Sequence, residues 1–241
     1  MSAVVIIPAR FGATRFPGKP LASLKGRPLI RHVYENSLGA RLASEVVVAT
    51  DSKEIFDAVV SFGGKAVMTS PAHRSGTDRV AEAAGACDYD IIVNVQGDEP
   101  LIKPAMIDDV IGLLDDGRAS IGTLAKRLKS PEETADPNVV KVVFDPEGFA
   151  LYFSRAPIPY PRDGGRSEAY KHIGIYSYRK EALRRLTALP PSRLELIEKL
   201  EQLRALEAGM KIKVKETGRD TIGVDTPEDL KRVEEWLSSS S

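Results

Sequence analysis

Short apolar runs rich in β-branched residues recur through the first part of the chain, with polar, helix-like segments between them. These runs cover residues 4–7, 45–49, 65–68 and 90–95. Residues 46–48 and 91–93 are continuously apolar, which is typical of strands covered on both faces. The alternation of such strands with helices predicts an α/β fold built on a doubly wound, mostly parallel sheet.

The pattern changes near residue 120. Strand-like segments at 121–125, 139–144 and 169–179, with a Pro- and Gly-rich stretch at 156–166, predict a mixed-sheet subdomain. We interpret the chain as a single α/β domain over residues 1–241, because no linker separates independent parts. Its predicted subdivisions are a first half (1–119), a mixed-sheet region (120–219), a C-terminal turn and helix (220–237) and a frayed serine tail (238–241).

A capping box at residues 192–195 predicts the start of a helix in the second half. Leu196, Leu200 and Leu203 follow at helical spacing and are expected to form its single apolar face. Glu201 and Gln202 fall off that stripe. The pattern therefore predicts one continuous helix with two polar side chains directed away from its packed face.

Composition narrows the range of functions. The 241 residues include 34 Lys+Arg and 34 Asp+Glu, so no overall field would attract nucleic acid or an anionic membrane. Cys87 is the single cysteine, which excludes an internal disulfide and fits a reducing compartment. No apolar run approaches the roughly 18 residues of a membrane span. We expect a cytoplasmic protein with neither nucleic-acid nor membrane partners.

The loop after the first strand places Arg10, Arg15 and Lys19 among glycines and prolines. Gly12 and Gly18 let backbone N–H groups approach a ligand, and the basic side chains suit phosphate oxygens. The loop is not a Walker A motif, because five residues separate its glycines and a proline follows the lysine. It predicts a triphosphate site; the alternative is a solvated polar connection.

Two acids could hold a hard cation. Asp98 lies in the turn 96–100, directly after a predicted strand, and Asp225 precedes a helix that Thr226 and Asp229 can cap. Mg²⁺ is commonly bound by one or two carboxylates together with substrate phosphates. The pair therefore predicts a magnesium site, although either acid alone is better interpreted as an ordinary turn or cap residue.

Two further polar groups are candidates for substrate contacts. The segment 73–79 could present its backbone to a nucleobase edge, or Ser75 or Thr77 could simply cap a helix. In the second half, a group of side chains could line a pocket for a polyhydroxylated acid, although a strand histidine such as His172 is more often a packed or edge residue than a ligand contact. These side chains are Arg155, His172, Tyr176, Glu201 and Gln202.

The order of these motifs resembles that of the sugar-acid cytidylyltransferases, in particular those that activate 3-deoxy-manno-octulosonate (KDO). The resemblance covers nearly the whole chain and shows no clear departure in the phosphate loop or at the two acids. It is carried by residues 7–10, 15–21, 75–79, 94–100, 172–176, 200–204 and 223–228.

The resemblance implies a nucleotide-diphospho-sugar transferase type of fold and a homodimer built largely by the second half. It implies a nucleotidyltransferase that joins CTP to KDO, giving CMP-KDO and pyrophosphate for bacterial lipopolysaccharide biosynthesis, with Mg²⁺ as cofactor. The implied catalytic residues are Arg10, Lys19, Asp98 and Asp225, and the implied metal ligands are Asp98 and Asp225. The implied nucleotide-binding residues are Pro8, Ala9, Arg10, Arg15, Lys19, Arg74, Ser75 and Gly76. The implied sugar-binding residues are Gln96, Arg155, His172, Tyr176, Glu201 and Gln202.

Three other functions stay open at this point. The acceptor could be a different sugar acid or a phosphorylated sugar, because a phosphate loop and metal acids do not select it. A nucleotide-sugar-dependent glycosyltransferase could share the architecture. A nucleotide-binding module without catalysis is the third possibility.

Overall fold

The computed structural model describes residues 1–12, 16–163 and 168–239. Its strands are β1 (Ala3–Ala9), β2 (Ser23–Leu24), β3 (Arg27–Pro28), β4 (Glu45–Thr50), β5 (Ala66–Met68), β6 (Ile91–Asn94), β7 (Ile121–Arg127), β8 (Lys141–Phe144), β9 (Ala150–Ser154), β10 (Tyr170–Arg179) and β11 (Ile212–Glu216).

The α-helices are α1 (Leu29–Leu38), α2 (Lys53–Ser61), α3 (Gly76–Gly85), α4 (Pro104–Gly112), α5 (Pro131–Ala135), α6 (Lys180–Ala188), α7 (Arg193–Glu198), α8 (Gln202–Glu207) and α9 (Pro227–Ser239). Short 3₁₀ turns span Lys19–Leu21 and Leu113–Asp115. Within the described part of the chain, no helix combines the length and the apolar character needed to cross a membrane.

The chain divides into two compact units, Met1–Asp108 with Thr221–Ser241, and Asp109–Asp220. In the first unit β1 lies between β4 and β6, and β5 lies beyond β4, with every pairing parallel. All residues of β1 and β6 are buried, as expected for strands covered on both faces. The predicted α/β class with a mostly parallel sheet is confirmed.

The second unit has a mixed sheet. Its β7 pairs in parallel with β11 and antiparallel with β10, and β10 continues through β8 to β9 by antiparallel pairings. The register between β10 and β7 shifts between Ile173 and Tyr176, so the strand pairing is irregular at this point. The sequence pattern identified β7, β8 and β10, but it did not identify β9.

The C-terminal segment joins the core of the first unit. Val224 and Val233 are fully buried in a cluster with Leu24, Leu29 and Leu101. Burial of such side chains stabilises by roughly 1.5–3 kcal/mol each relative to exposure. This packing, together with a hydrogen bond from the Val224 N–H to the Asp98 carbonyl oxygen at 2.9 Å, fixes the turn that contains Asp225.

Two local expectations were wrong. The capping box at Ser192 is present, but α7 ends at Glu198 because Lys199 adopts a left-handed conformation with φ 55°, and a separate helix α8 follows. Leu196 is exposed while Leu200 and Leu203 are buried, so the three leucines do not share one packed face. Ser238 and Ser239, which were expected to start a frayed tail, belong to α9; residues 240–241 lie outside the described residues.

Helix α1 provides a matched test of this core, because Leu29 at its start is fully buried and Leu38 at its end is 57% exposed. We expect Leu29→Ala to lower the free energy of unfolding by about 2–5 kcal/mol, through lost burial and the cavity left behind. Leu38→Ala should change it by less than about 0.5 kcal/mol. Urea denaturation measures both, and equal effects would contradict the proposed core.

Candidate active site

The loop that follows β1 is closed by its own backbone. Gly18 adopts a left-handed conformation with φ 69°, and its N–H donates to the carbonyl of Phe11 at 2.9 Å. Glycine suits this position because other residues are strained at such φ values. The turn places Lys19 at the start of the 3₁₀ segment that follows. Arg15, predicted to contact phosphate, lies outside the described residues.

Lys19 joins two carboxylates that are far apart in sequence. Its Nζ lies 2.6 Å from Oδ2 of Asp98 and 3.3 Å from Oδ1 of Asp225. The side chain of Lys19 is only 12% exposed, so its charge is partly desolvated and depends on these partners. The two acids that were predicted from the sequence as metal ligands therefore contact the same cationic group, the ammonium of Lys19.

The position of Asp225 follows from the start of α9. Thr226 Oγ1 accepts a hydrogen bond from the Asp229 N–H at 3.2 Å, while Asp229 Oδ2 accepts from the N–H groups of Thr226 and Asp225. Pro227 occupies the first helical position, where its missing N–H costs nothing. The prediction that Thr226 and Asp229 cap this helix is confirmed.

A cavity of about 290 Å³ opens beside this cluster, and all of its lining residues belong to the first unit. Most of them follow the carboxyl ends of parallel strands, where ligands bind in open α/β sheets. The lining comprises Pro8, Ala9, Arg10, Phe16, Lys19, Pro20, His73, Arg74, Ser75, Gly76, Arg79, Gln96, Gly97, Asp98 and Asp225.

One glycine allows two strand ends to approach each other closely. A Cβ added to Gly97 would lie 2.8 Å from the carbonyl oxygen of Pro8, which is a backbone atom that cannot easily move away. The end of β1 and the segment after β6 are therefore in near contact at the cavity. The absence of a side chain at Gly97 keeps the Pro8 and Ala9 backbone beside Gln96 and Asp98.

Helix α3 forms another wall of the cavity. Ser75 is its N-cap and shares a capping box with Asp78, whose N–H donates to Ser75 Oγ at 3.1 Å. Of the two caps considered from the sequence, the structure uses Ser75. The helix begins at Gly76, so its first turn faces the space lined by Arg74, Ser75 and Gly76. Unpaired N–H groups at such a position favour electron-rich ligand atoms.

In the second unit, β10 carries a buried polar group around His172. Its Nε2 lies 3.0 Å from Thr123 Oγ1, and that hydroxyl lies 2.8 Å from the carbonyl oxygen of Ile175. The hydroxyl donates its single proton to a carbonyl, so it accepts from the Nε2–H of His172. Burial lowers the pKa of His172 to about 3, and the imidazole is therefore neutral at physiological pH.

Tyr176 lies beside this imidazole, with ring centroids 5.3 Å apart. Burial, and to a smaller extent the charge of Glu201, raises the pKa of its hydroxyl above the ordinary value. Gln202 is buried at the start of α8 and Glu201 is partly buried before it. Tyr176 is thus a neutral hydrogen-bonding group.

Arg155 is held by backbone atoms of its own unit. Its Nε donates to the Glu198 carbonyl oxygen at 2.8 Å, and its Nη1 donates to the Pro137 carbonyl oxygen at 2.9 Å. These bonds fix the orientation of the guanidinium. Two of its donor groups are thereby used within the protein, so a carboxylate ligand would have to bind to the remaining N–H groups of the guanidinium.

The structure brings several predicted site residues together at one cavity of the first unit, whereas others lie in the second unit. Ten of them line the cavity: Pro8, Ala9, Arg10, Lys19, Arg74, Ser75, Gly76, Gln96, Asp98 and Asp225. Arg155, His172, Tyr176, Glu201 and Gln202 belong to the second unit. The other five lining residues were not predicted as site residues, although each lies inside a motif identified in the sequence: Phe16, Pro20, His73, Arg79 and Gly97. Apolar and buried charged residues of a motif give little sign of whether they line a cavity.

Comparison with known families agrees with this arrangement. The family model described as cytidylyltransferase matches residues 4–212. The chain therefore belongs to the cytidylyltransferase family, a class of nucleotidyltransferases.

Individual relatives indicate which members of the cytidylyltransferase family this chain resembles. The chain is 52% identical to 3-deoxy-manno-octulosonate cytidylyltransferase of Thermodesulfovibrio yellowstonii, with 100% of both chains covered. It is 54% identical to the enzyme of the same name from Geobacter sulfurreducens, over 98% of this chain and 100% of the relative. A solved structure of CMP:2-keto-3-deoxy-manno-octonic acid synthetase complexed with CTP has a TM-score of 0.96 and 44% identity, covering both chains completely. A cytidylyltransferase structure from Leptospira borgpetersenii, at 20% identity and a TM-score of 0.67, shares the fold.

The state of His172 can be measured directly. Because its pKa is lowered to about 3, we expect the imidazole ¹⁵N resonances to show protonated Nε2 and no titration between about pH 8 and pH 5. Unfolding restores a pKa of about 6.5, so the stability contributed by the buried neutral ring should fall as the pH drops below that value. Titration of the folded protein near pH 6.5, or protonation at Nδ1, would contradict this assignment.

Proposed function

We propose that this protein transfers the cytidylyl group of CTP to KDO, giving CMP-KDO and pyrophosphate. The observation that carries the proposal is the cluster of Lys19, Asp98 and Asp225 at a cavity lined by Arg10, since a triphosphate and its metal need charges of both signs at one place. Full-length relatives that are 52% and 54% identical support the choice of donor and acceptor. A role in lipopolysaccharide biosynthesis follows from this activity.

The reaction is an in-line displacement. The anomeric hydroxyl oxygen of KDO attacks the α-phosphorus of CTP, a new P–O bond forms, and the bond to the β-phosphate oxygen breaks as pyrophosphate leaves. The hydroxyl proton is released to water in the same process. Phosphoryl transfer of this kind depends on positioning and on charge neutralisation, so no covalent intermediate with the protein is required. Arg10, Arg15 and Lys19 bind the phosphates and offset their charge.

The donor set at the cavity fits Mg²⁺. The ammonium of Lys19 lies between Asp98 and Asp225, so a cation already occupies the position between these carboxylates. In the described part of the chain, no group of three or more His, Cys, Asp and Glu side chains could hold a metal. Asp98 and Asp225 would therefore share the ion with phosphate oxygens and water. When bound, Mg²⁺ neutralises phosphate charge and makes a coordinated hydroxyl more acidic.

The remaining proposed contacts are made either to the cytosine or to the sugar acid. The backbone of Pro8 and Ala9 and the segment Arg74, Ser75 and Gly76 surround the cytosine. The neutral side chains of the sugar-binding group contact hydroxyls, and Arg155 pairs with the sugar carboxylate through its remaining donors. That group comprises Gln96, Arg155, His172, Tyr176, Glu201 and Gln202.

Two further features belong to the proposal. The protein works as a homodimer; exposed Leu151 and Ile197 in the second unit, which are 63% and 66% exposed, offer apolar surface for such contacts. It acts in the cytoplasm, consistent with a single cysteine, Cys87, and with no disulfide.

The test is pyrophosphate release from purified protein with CTP and Mg²⁺, with KDO, N-acetylneuraminate and a sugar phosphate as separate acceptors. We expect release with KDO and identification of CMP-KDO as product. Release with only a different acceptor would change the proposed substrate but would leave the proposed nucleotidyltransferase class unchanged. CTP binding without turnover of any acceptor would favour a binding module, and a glycoside product would indicate a glycosyltransferase.

The double contact of Lys19 predicts competition with metal. In the absence of nucleotide, Lys19→Met should bind Mn²⁺ about tenfold more tightly than the wild type. A charged hydrogen bond is worth roughly 1.5 kcal/mol, which corresponds to that factor. Counting free Mn²⁺ by electron paramagnetic resonance measures the affinity without reference to activity.

Two controls define the result. Lys53→Met removes an exposed lysine paired with Asp57 outside the cavity lining and should leave Mn²⁺ binding unchanged. Adding Asp98→Asn to Lys19→Met should abolish the gain. Equal Mn²⁺ affinities in the wild type and Lys19→Met would show that Lys19 does not compete for the acidic pair.

A further inference from the structure

Arg79 is a buried cation whose role the proposed function does not explain. It lies on α3, lines the cavity and is only 3% exposed. Its Nη2 donates to Asp51 Oδ2 at 2.6 Å and its Nη1 donates to Thr69 Oγ1 at 2.5 Å. Both ends of the guanidinium fork are therefore held by protein atoms.

The two partners of Arg79 lie at the ends of neighbouring strands. Asp51 follows β4, and Thr69 follows β5. The Thr69 N–H also donates to the Thr50 carbonyl oxygen at 2.8 Å, which continues the parallel pairing past the end of β5. The guanidinium of Arg79 thus connects α3 to two strand ends at the point where the chain leaves the sheet.

A second side chain of α3, one turn further on, holds the same segment. Glu82 accepts a hydrogen bond from the Ser70 N–H at 2.9 Å and pairs with the ring of His73. Between these contacts Pro71 and Ala72 are exposed, as is Arg74 beyond them. The segment therefore depends on α3 side chains for its position rather than on burial of its own residues.

This segment leads into the base-side wall, which we define as residues 73–76. The wall begins four residues after Thr69 and ends at the first residue of α3. In the proposed function it surrounds the cytosine. A wall that is already ordered binds a ligand more tightly, because less conformational entropy is lost on binding.

We infer that Arg79 is a positioning residue that holds the base-side wall in place for the nucleobase. The inference rests on the proposed function, since it takes a cytidine nucleotide as the ligand. Arg79 acts through Asp51 and Thr69, while the phosphates are bound elsewhere in the cavity by Arg10 and Lys19. Loss of the Arg79 contacts should therefore weaken recognition of the base and leave binding of the phosphates unchanged.

The choice of arginine has a physical reason. A guanidinium presents several N–H groups in a fixed plane and can bind two acceptors in different directions, whereas the single ammonium of lysine does so poorly. Arg79→Ala would leave the partly buried Asp51 without its cation and could prevent folding. Arg79→Lys keeps the charge beside Asp51, and Thr69→Val removes only the second acceptor.

The experiment compares two ligands by calorimetric titration of the full-length protein with Mg²⁺: CTP, and inorganic triphosphate as a ligand without a base. Thr69→Val should raise the Kd for CTP about fivefold, because it removes the bond between Arg79 and Thr69, and Arg79→Lys about tenfold, because lysine also holds Asp51 less well. The Kd for inorganic triphosphate should change less than about twofold. In turnover assays the KM for CTP should rise while kcat at saturating CTP is retained.

Arg204→Lys is the matched control. Arg204, like Arg79, is a buried arginine paired with a carboxylate, that of Glu195, to which it donates two N–H groups, but it belongs to the second unit. It should leave both Kd values unchanged. Unchanged CTP binding in Thr69→Val and Arg79→Lys, or equal losses for CTP and inorganic triphosphate, would overturn the inference. Failure of the wild type to bind CTP would instead overturn the proposed function, so the two failures are distinguishable.

Discussion

The ion cluster of Lys19, Asp98 and Asp225 is the constraint on which the site depends. Its members come from the loop after β1, the turn after β6 and the start of α9, so it can form only when three distant parts of the chain have folded. A lysine that is 12% exposed needs such partners, because a desolvated charge is costly without them. Burial of Val224 beside Asp98 supplies the apolar stabilisation that holds the acidic turn against the sheet.

A parallel sheet explains why the other cavity residues converge. Strands β1, β4, β5 and β6 run in one direction, so the segments after them leave from one edge. Beyond the strand ends, further contacts order these segments. Gly18 closes the loop after β1 by a left-handed turn, and Gly97 allows the turn after β6 to approach Pro8. Arg79 donates hydrogen bonds to the segments after β4 and β5. The local contact differs from one segment to the next, but all of these contacts restrict backbone motion at the carboxyl ends of the parallel strands.

Much of this could be predicted from the sequence, because it depends on local patterns. Apolar runs identified the strands of the first unit, and the caps at Ser75 and Thr226 follow from local side-chain chemistry. The break at Lys199 was not predictable, because a left-handed lysine is selected by packing that brings Leu200 inside and leaves Leu196 outside. The role of Arg79 was also missed, since its partners are distant in sequence and only the fold brings them to it. The assignments of individual site residues to ligands stay predictions.

The two units differ in the kind of recognition that their candidate residues can provide. The cavity of the first unit is lined by cations and carboxylates, so its affinity for a ligand depends strongly on ligand charge. In the second unit burial keeps His172 and Tyr176 neutral, and Thr123 fixes which ring nitrogen of His172 carries the proton. Neutral groups with fixed donors and acceptors discriminate by the positions of hydroxyls, because an unmatched buried polar group is costly. On the proposed function, the nucleotide is therefore selected mainly by charge and by the base-side wall, whereas the choice among sugar acids depends on the geometry of neutral hydrogen bonds.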